Sequence, residues 1–204
     1  MKVLCDSRNP MATNTYLVYD ESSLDAFIID AASVPKSFVE EIENKNLKLK
    51  YLFLTHGHFD HTWAALDLKD KYKLKIVAHE NERPVLTDAD INMSSQVGKR
   101  IEFEADVYLK SDRGEFEGIK YILTPGHTCG GVCYHIEDKL FSGDTLFELS
   151  IGRTDFPTGN YGQLISSILV NLKHLPDEIT VYPGHGEKTE LGYERLNNPF
   201  LRRS

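Results

Sequence analysis

An α/β fold with a ligand site at the ends of its strands is the architecture this sequence predicts, on three observations. Short apolar runs of strand length alternate with helix-like segments through the first hundred residues. Five of the eight histidines, His56, His58, His61, His127 and His185, stand in loops that directly follow such runs. Ligands gathered at strand ends are the usual geometry of an open α/β site. The chain has 204 residues, enough to bury a substantial core.

Taken in order, Thr15–Tyr19 and Ala26–Asp30, parted by polar Glu21-Ser22-Ser23, predict a hairpin of two core strands. Ser33 is the expected N-cap, with Pro35 in the first turn, of a helix that buries Phe38, Val39 and Ile42. Tyr51–Leu54 is a short buried strand, and Thr62–Leu66 begins a helix, so residues 55–61 are read as a strand-to-helix loop. Lys75–Ala78 is a further strand. Residues 79–105 lack periodicity and are read as a long surface excursion bordering the site, with His79 in a structural role. Strand character returns at Val107–Leu109, followed by a polar turn at 112–114 and a strand at Lys120–Leu123. The latter runs into a loop, Thr124–Gly131, whose Gly and Pro hold His127 at a strand end. Val132–Ile136 and Lys139–Phe141 form another hairpin, which ends in Ser142-Gly143-Asp144-Thr145. Asn160 introduces a helix whose stripe of Tyr161, Leu164, Ile165, Ile168, Leu169, Leu172 and Leu175 is expected to face the core. Ile179–Tyr182 is a strand that leads to Pro183-Gly184-His185-Gly186, and a closing helix with a docked tail completes the chain.

The stretch Thr55-His56-Gly57-His58-Phe59-Asp60-His61 places four metal-capable side chains in six positions. Imidazoles this close repel one another when protonated and gain little unless they share a cation. In near-extended backbone alternate side chains share a side, so His56 and His58 can reach one metal, while Asp60 and His61 reach elsewhere. With His127, Asp144 and His185 the candidates number seven, enough for two metals that share one carboxylate. The remaining composition excludes other roles. A net charge of −8 argues against nucleic acid as a partner. Three cysteines, Cys5, Cys129 and Cys133, without paired spacing fit a reducing compartment. No run is long and apolar enough for a membrane span or secretory leader, so a soluble, cytoplasmic protein is expected, with its oligomeric state left open.

Thr-His-Gly-His-Phe-Asp-His, followed by Pro-Gly-His-Thr at 125–128, Ser-Gly-Asp-Thr at 142–145 and Pro-Gly-His-Gly at 183–186, resembles the metallo-β-lactamase-fold hydrolase superfamily. Within it, Ile151–Pro157 and Asn198-Pro199-Phe200 are similar to the short glyoxalase II-like, or hydroxyacylglutathione hydrolase-like, proteins. The resemblance covers almost the whole chain and makes residues 1–204 one domain, an αββα sandwich with the metal site at the sheet edge. Carried over by position, it implies His56, His58 and His127 at a first metal and Asp60, His61 and His185 at a second, with Asp144 bridging them. It further implies that Asp60 orients the reacting hydroxide and that Ser142 and Thr145 support the ligands. Arg153 is either a substrate contact or half of an ion pair with Asp155. Two divalent ions are implied, zinc first, with iron or manganese as alternatives. The implied substrate is a small thioester such as an acylglutathione.

Departures from the family pattern adjust these expectations. Only about twenty residues follow His185, where glyoxalase II enzymes carry a helical glutathione-binding domain, so weak glutathione specificity is expected. Asp144 occupies the position that is cysteine in the commonest β-lactamases, which argues against antibiotic hydrolysis. A persulfide dioxygenase-type reaction at a single iron held by His56, His127 and Asp144 is the alternative reading. Lactone hydrolysis and a non-catalytic metal-binding module follow it.

Overall fold

The computed structural model describes residues 1–201. Two six-stranded sheets lie face to face. The first contains β1 (Lys2–Asp6), β2 (Thr15–Tyr19), β3 (Asp25–Ile29), β4 (Lys48–Phe53), β5 (Lys75–His79) and β6 (Val107–Leu109), paired in that order. β1 to β3 are antiparallel, and β3 to β6 run parallel. The parallel connections are made by α1 (Lys36–Lys45), the short helices α2 (Phe59–Thr62) and α3 (Ala65–Tyr72), and α4 (Arg83–Leu86). The second sheet is built from β7 (Arg113–Phe116), β8 (Ile119–Leu123), β9 (Val132–Ile136) and β10 (Lys139–Gly143). It is completed by β13 (Thr180–Pro183), parallel to β10, and by the short edge strand β14 (Thr189–Glu190). Between them come the small hairpin β11 (Leu146–Phe147) and β12 (Ser150–Ile151) and a helix that begins as α5 (Tyr161–Ser166) and widens to a π turn over Ser167–Asn171. α6 (Leu191–Asn197) closes the fold.

Strand periodicity sorts the core into three layers. Phe27, Ile29, Phe53 and Val77 from the first sheet meet Leu123, Val132, Tyr134 and Phe141 from the second. Their neighbours one position away, including Ile28, Leu52 and Ile76, face outward to Phe38 and Ile42 of α1 and to Leu68 of α3. On the far side Ile122, Cys133, Leu140 and Val181 pack under Leu164, Ile168, Leu172 and Leu191. Helix, sheet, sheet, helix is therefore the layer order, as the αββα expectation required. Both faces of the central strands are buried, which is why they read as continuous apolar runs.

Several local readings are corrected. The first helix is capped at Pro35 with no side-chain hydrogen bond, so Ser33 caps nothing. Helical turn begins at Phe59, inside the histidine motif, and carries Asp60 and His61 on it. Residues 79–105 are no surface excursion: Glu82, Val85, Leu86, Ala89, Asn92 and Ser94 are all buried, and their order comes from polar anchors that hydropathy does not reveal. Tyr161 lies at the helix start, 53% exposed, while Leu164 and Ile168 do the packing. The polar turn at 112–114 is in part strand β7, and the first strand, β1, was missed because its apolar run is only Val3-Leu4-Cys5, flanked by Lys2 and Asp6.

An edge-to-face contact joins the two sheets, with Phe53 5.2 Å from Tyr134 between ring centroids, and Phe53 also meets Phe27 of its own sheet at 5.5 Å. Phe53 is 1% exposed, and truncation would open a cavity directly beneath the strand that feeds the histidine loop. Phe53→Ala is expected to cost about 3–5 kcal/mol in chemical denaturation. A cost below about 1 kcal/mol would show that the inter-sheet layer closes over the gap.

Candidate metal centre

Every sequence-predicted ligand arrives from the C-terminal end of a strand. β4 delivers His56, His58, Asp60 and His61, β8 delivers His127, β10 delivers Asp144, and β13 delivers His185. Hydrogen bonds to backbone carbonyls hold the two halves in register at this edge. The Val132 N–H donates to the Thr55 carbonyl at 2.9 Å, and the Tyr16 hydroxyl donates to the Pro183 carbonyl at 2.5 Å. Glycine is needed at 184 for space, because a Cβ there would lie 2.1 Å from Asp144 Oδ1.

The seven side chains form three overlapping groups, His56/His58/His127, His56/His61/Asp144 and Asp60/His61/His185, each with ligand atoms within 4.8 Å of one another. His58 Nδ1 lies 2.9 Å from His127 Nε2. Asp144 faces three imidazoles, with Oδ1 3.3 Å from His61 Nε2 and Oδ2 3.5 Å from His127 Nε2 and 3.7 Å from His185 Nε2. Asp60 Oδ2 is 3.2 Å from His185 Nε2 and accepts a 2.7 Å hydrogen bond from the Thr13 hydroxyl.

Hydrogen bonds on the outer side of the rings fix which nitrogen faces inward. His61 Nδ1 donates to Asp30 Oδ2 at 2.8 Å, and His127 Nδ1 donates to the Arg153 carbonyl at 2.7 Å. Thr55 gives its hydroxyl proton to Asp30 Oδ2 at 2.8 Å, so its oxygen accepts from His56 Nδ1 at 3.1 Å. Each of these three rings therefore presents Nε2 to the centre. Asp30 also accepts from the Thr55 N–H at 2.8 Å. Buried and left-handed at φ 54°, it is the functional residue that sequence reading missed, although it ends the apolar run Phe27-Ile28-Ile29.

A second missed carboxylate braces the ligand loops from behind. Glu82, fully buried, accepts from the Gly57 N–H at 2.8 Å, the Thr128 hydroxyl at 2.8 Å and the Gly130 N–H at 2.9 Å. It thereby ties the His56–His58 loop to the His127 loop. Burial drives its carboxyl up to about 7 against the pull of those three donors. Glu194 does the same for the far rim, accepting from the Leu149 N–H at 2.9 Å and from Asn198 Nδ2 at 2.8 Å. Ser142 and Thr145, expected to support the ligands, bond the Leu146 carbonyl and the Thr124 hydroxyl. They hold the Asp144 turn in shape.

The electrostatics call for positive charge. Burial, then the neighbouring imidazoles of His61, His127 and His58, drives His56 well below the usual histidine range. Burial and His127 bring His58 down to about 3. At Asp144, burial pushes the carboxyl up, but His61, followed by His127 and His185, outweighs it and brings it to about 2. Burial opposes charge on His61 as well, yet Asp60, Asp30 and Asp144 hold that ring protonated far above its ordinary range. Nε2 of His56, His58 and His61 and Oδ1 of Asp144 are buried without a hydrogen-bond partner, each costing about 1–3 kcal/mol. Imidazole and carboxylate are the ligand types of zinc, iron and manganese, so the residues present fit divalent metal ions.

The centre opens into a cavity of about 570 Å³ whose wall includes His58, His127, Asp144, His185, Phe147 and Phe156. Arg153 stands on its rim, in a two-pronged ion pair with Asp155 at 2.7 Å and 3.7 Å above the Phe156 ring centroid. Its carbonyl orients His127, while its guanidinium is committed to Asp155.

The chain belongs to the metallo-β-lactamase superfamily, whose pattern matches residues 8–185. It is 36% identical over 200 residues to hydroxyacylglutathione hydrolase GloC of Haemophilus influenzae, covering 92% of each chain. Among solved structures it is similar to BLEG-1 B3 metallo-β-lactamase, at 33% identity and a TM-score of 0.90 over 98% of this chain and 100% of that one. TTHA1623, solved in a di-iron-bound form, matches at 32% identity and a TM-score of 0.85 over the same shares. Membership makes the protein a metallo-hydrolase type of enzyme for which divalent metal ions are implied. No helix among the described residues is long and apolar enough to cross a membrane.

Asp30→Asn exchanges an acceptor oxygen for an amide that must face either His61 Nδ1–H or the Thr55 N–H. Metal affinity, read by competition against a chromophoric chelator, is expected to fall about 10–100-fold. Unchanged affinity would show that packing alone sets the His61 ring.

Proposed function

We propose that the protein is a dinuclear metallohydrolase of small thioesters. The observation that carries this reading is that the groups His56/His58/His127 and Asp60/His61/His185 are joined by a third, His56/His61/Asp144, whose His56 Nε2, His61 Nε2 and Asp144 Oδ1 are buried without a hydrogen-bond partner. His56, His58 and His127 would hold one ion, Asp60, His61 and His185 the other, and Asp144 both. Zinc is the expected metal, and iron is supported as an alternative by the di-iron neighbour. Two such ions supply an acidified water as nucleophile and polarise the thioester carbonyl.

The chain's own residues do the rest. Thr13 fixes Asp60 Oδ2 beside His61 and His185, the position from which Asp60 would hold the second ion and orient the attacking water. Asp30 and Thr55 hold the Nδ1–H groups of His61 and His56 on the outer side and so turn Nε2 of each ring toward the centre. Phe147 and Phe156 wall the cavity with apolar surface, which excludes water and favours a soft thioester over a charged substrate. A thiolate leaves readily at neutral pH, so no strong general acid is required, and among the described residues no carboxyl or imidazole lines the cavity beyond the ligand set.

Support for a hydroxyacylglutathione as the natural thioester comes from the GloC relative. Against it stands the ion-paired Arg153, which offers little to a glutathione carboxylate. Measurable turnover of S-lactoylglutathione with a high KM is therefore expected, together with weak discrimination against short thioesters that lack glutathione. Steady-state kinetics on thioester, lactone and β-lactam, with glutathione persulfide plus oxygen as a further arm, tests the reading. Lactam turnover or oxygen uptake that exceeds thioester cleavage would overturn it.

A further inference from the structure

Beside the metal cavity lies a second one, of about 500 Å³, that the hydrolytic chemistry does not use. The two share Met11, Phe59, Asp60 and Val97 as walls, so one opens into the other past the Asp60 carboxylate. Beyond that shared ridge the second cavity continues over Pro10, Ala32, Val34, Trp63 and Ala64. Met11, Val97 and Trp63 are among the exposed large apolar side chains of the chain, at 50%, 48% and 39%. Their clustering next to a reactive centre is the pattern of a binding surface, whereas single exposed apolar residues are ordinary.

These apolar walls are built and held. Asn9 Nδ2 donates to the Thr13 carbonyl at 2.7 Å, and its Oδ1 accepts from the Thr13 N–H at 3.1 Å, fixing the turn that carries Met11. The same turn is fastened to the centre through Thr13 and Asp60. The Phe59 N–H donates to the Asn92 carbonyl at 3.0 Å, and Asn92 Oδ1 accepts from the Ser94 N–H at 2.9 Å, which fixes the start of the 94–97 turn that carries Val97. Trp63 is held edge-on to Phe59 at 6.3 Å and covered on one face by the Lys99 ammonium at 4.4 Å.

We infer that this cavity is the acyl subsite, and that the enzyme takes thioesters with an extended aliphatic acyl chain in preference to lactoyl or acetyl. The inference rests on the thioesterase reading above. It assigns the acyl arm because a peptide thiol such as glutathione carries two carboxylates, for which this groove offers no uncommitted cation, although Asp67 in its wall could face an amine. Arg8, its one lining cation, is engaged with Asp6 and with Ser37. A straight alkyl chain that leaves the carbonyl beside Asp60 would run over Phe59 to the Trp63 face, gaining about fourfold in affinity per buried methylene.

Trp63 is the single tryptophan of the chain, so its emission reports on this groove without interference. The metal-loaded protein is titrated with inert alkyl thioethers of N-acetylcysteamine, methyl through octyl. A blue shift of Trp63 emission and a Kd that falls about fourfold per methylene up to hexyl are expected. Val97→Glu, at a half-exposed position, is expected to weaken octyl binding at least tenfold and methyl binding less than twofold, with the metal content of the variant measured alongside and equal to that of the parent. Equal Kd values for methyl and octyl, or an octyl series unaffected by Val97→Glu, would overturn the subsite. Hydrolysis of acetyl- and octanoyl-N-acetylcysteamine is run in parallel. No turnover of either would sink the thioesterase reading, while turnover with chain-length-independent KM and binding would sink the acyl subsite alone.

Discussion

Everything at the centre of this molecule depends on which way its protons point. A cluster of imidazoles and carboxylates can be buried at low cost only if the donors face outward to fixed acceptors and the lone pairs converge on a cation. Asp30 is the keystone of that polarity. It receives His61 directly and His56 by way of Thr55, and so orients two rings from one carboxylate. The Arg153 carbonyl orients a third. Without these acceptors the rings would be free to turn either nitrogen inward.

The sandwich supplies the rigidity that such a polarity needs. Strand ends from two sheets meet along one edge, and the aromatic layer beneath them, with Phe53 against Tyr134 and Tyr16 5.2 Å from Phe141, leaves the edge little room to flex. Tyr134 also donates from the second sheet to the Leu54 carbonyl of the first at 2.9 Å, just ahead of the histidine loop. Glu82 and Glu194 extend the same bracing to the loops themselves. Two buried carboxylates, each saturated by donors, thus stand behind the loops that flank the centre.

Much of this was legible in the sequence, for physical reasons that can be named. The metal-capable residues were visible because their chemistry is concentrated in short Gly-rich motifs after apolar runs, and all seven are brought together. The central strands were visible because burial on both faces leaves no polar alternation to confuse them. What was hidden works through single polar side chains far apart in sequence. Glu82 lies 25 residues from Gly57 and 46 from Thr128, within a stretch whose order depends on such bonds and not on periodicity. The groove around Trp63 was hidden for a related reason: Met11, Phe59 and Val97 come from three segments far apart in sequence, and only their placement gives them a common surface.

Metal stoichiometry tests the central claim most directly. Elemental analysis of purified protein, paired with Asp144→Ala and His185→Ala, is predicted to give about two transition-metal ions per chain. His185→Ala should lose chiefly one ion, and Asp144→Ala should weaken both. One iron per chain that survives His185→Ala unchanged would contradict a shared dinuclear centre, as would a protein that folds and turns over thioesters with no metal at all.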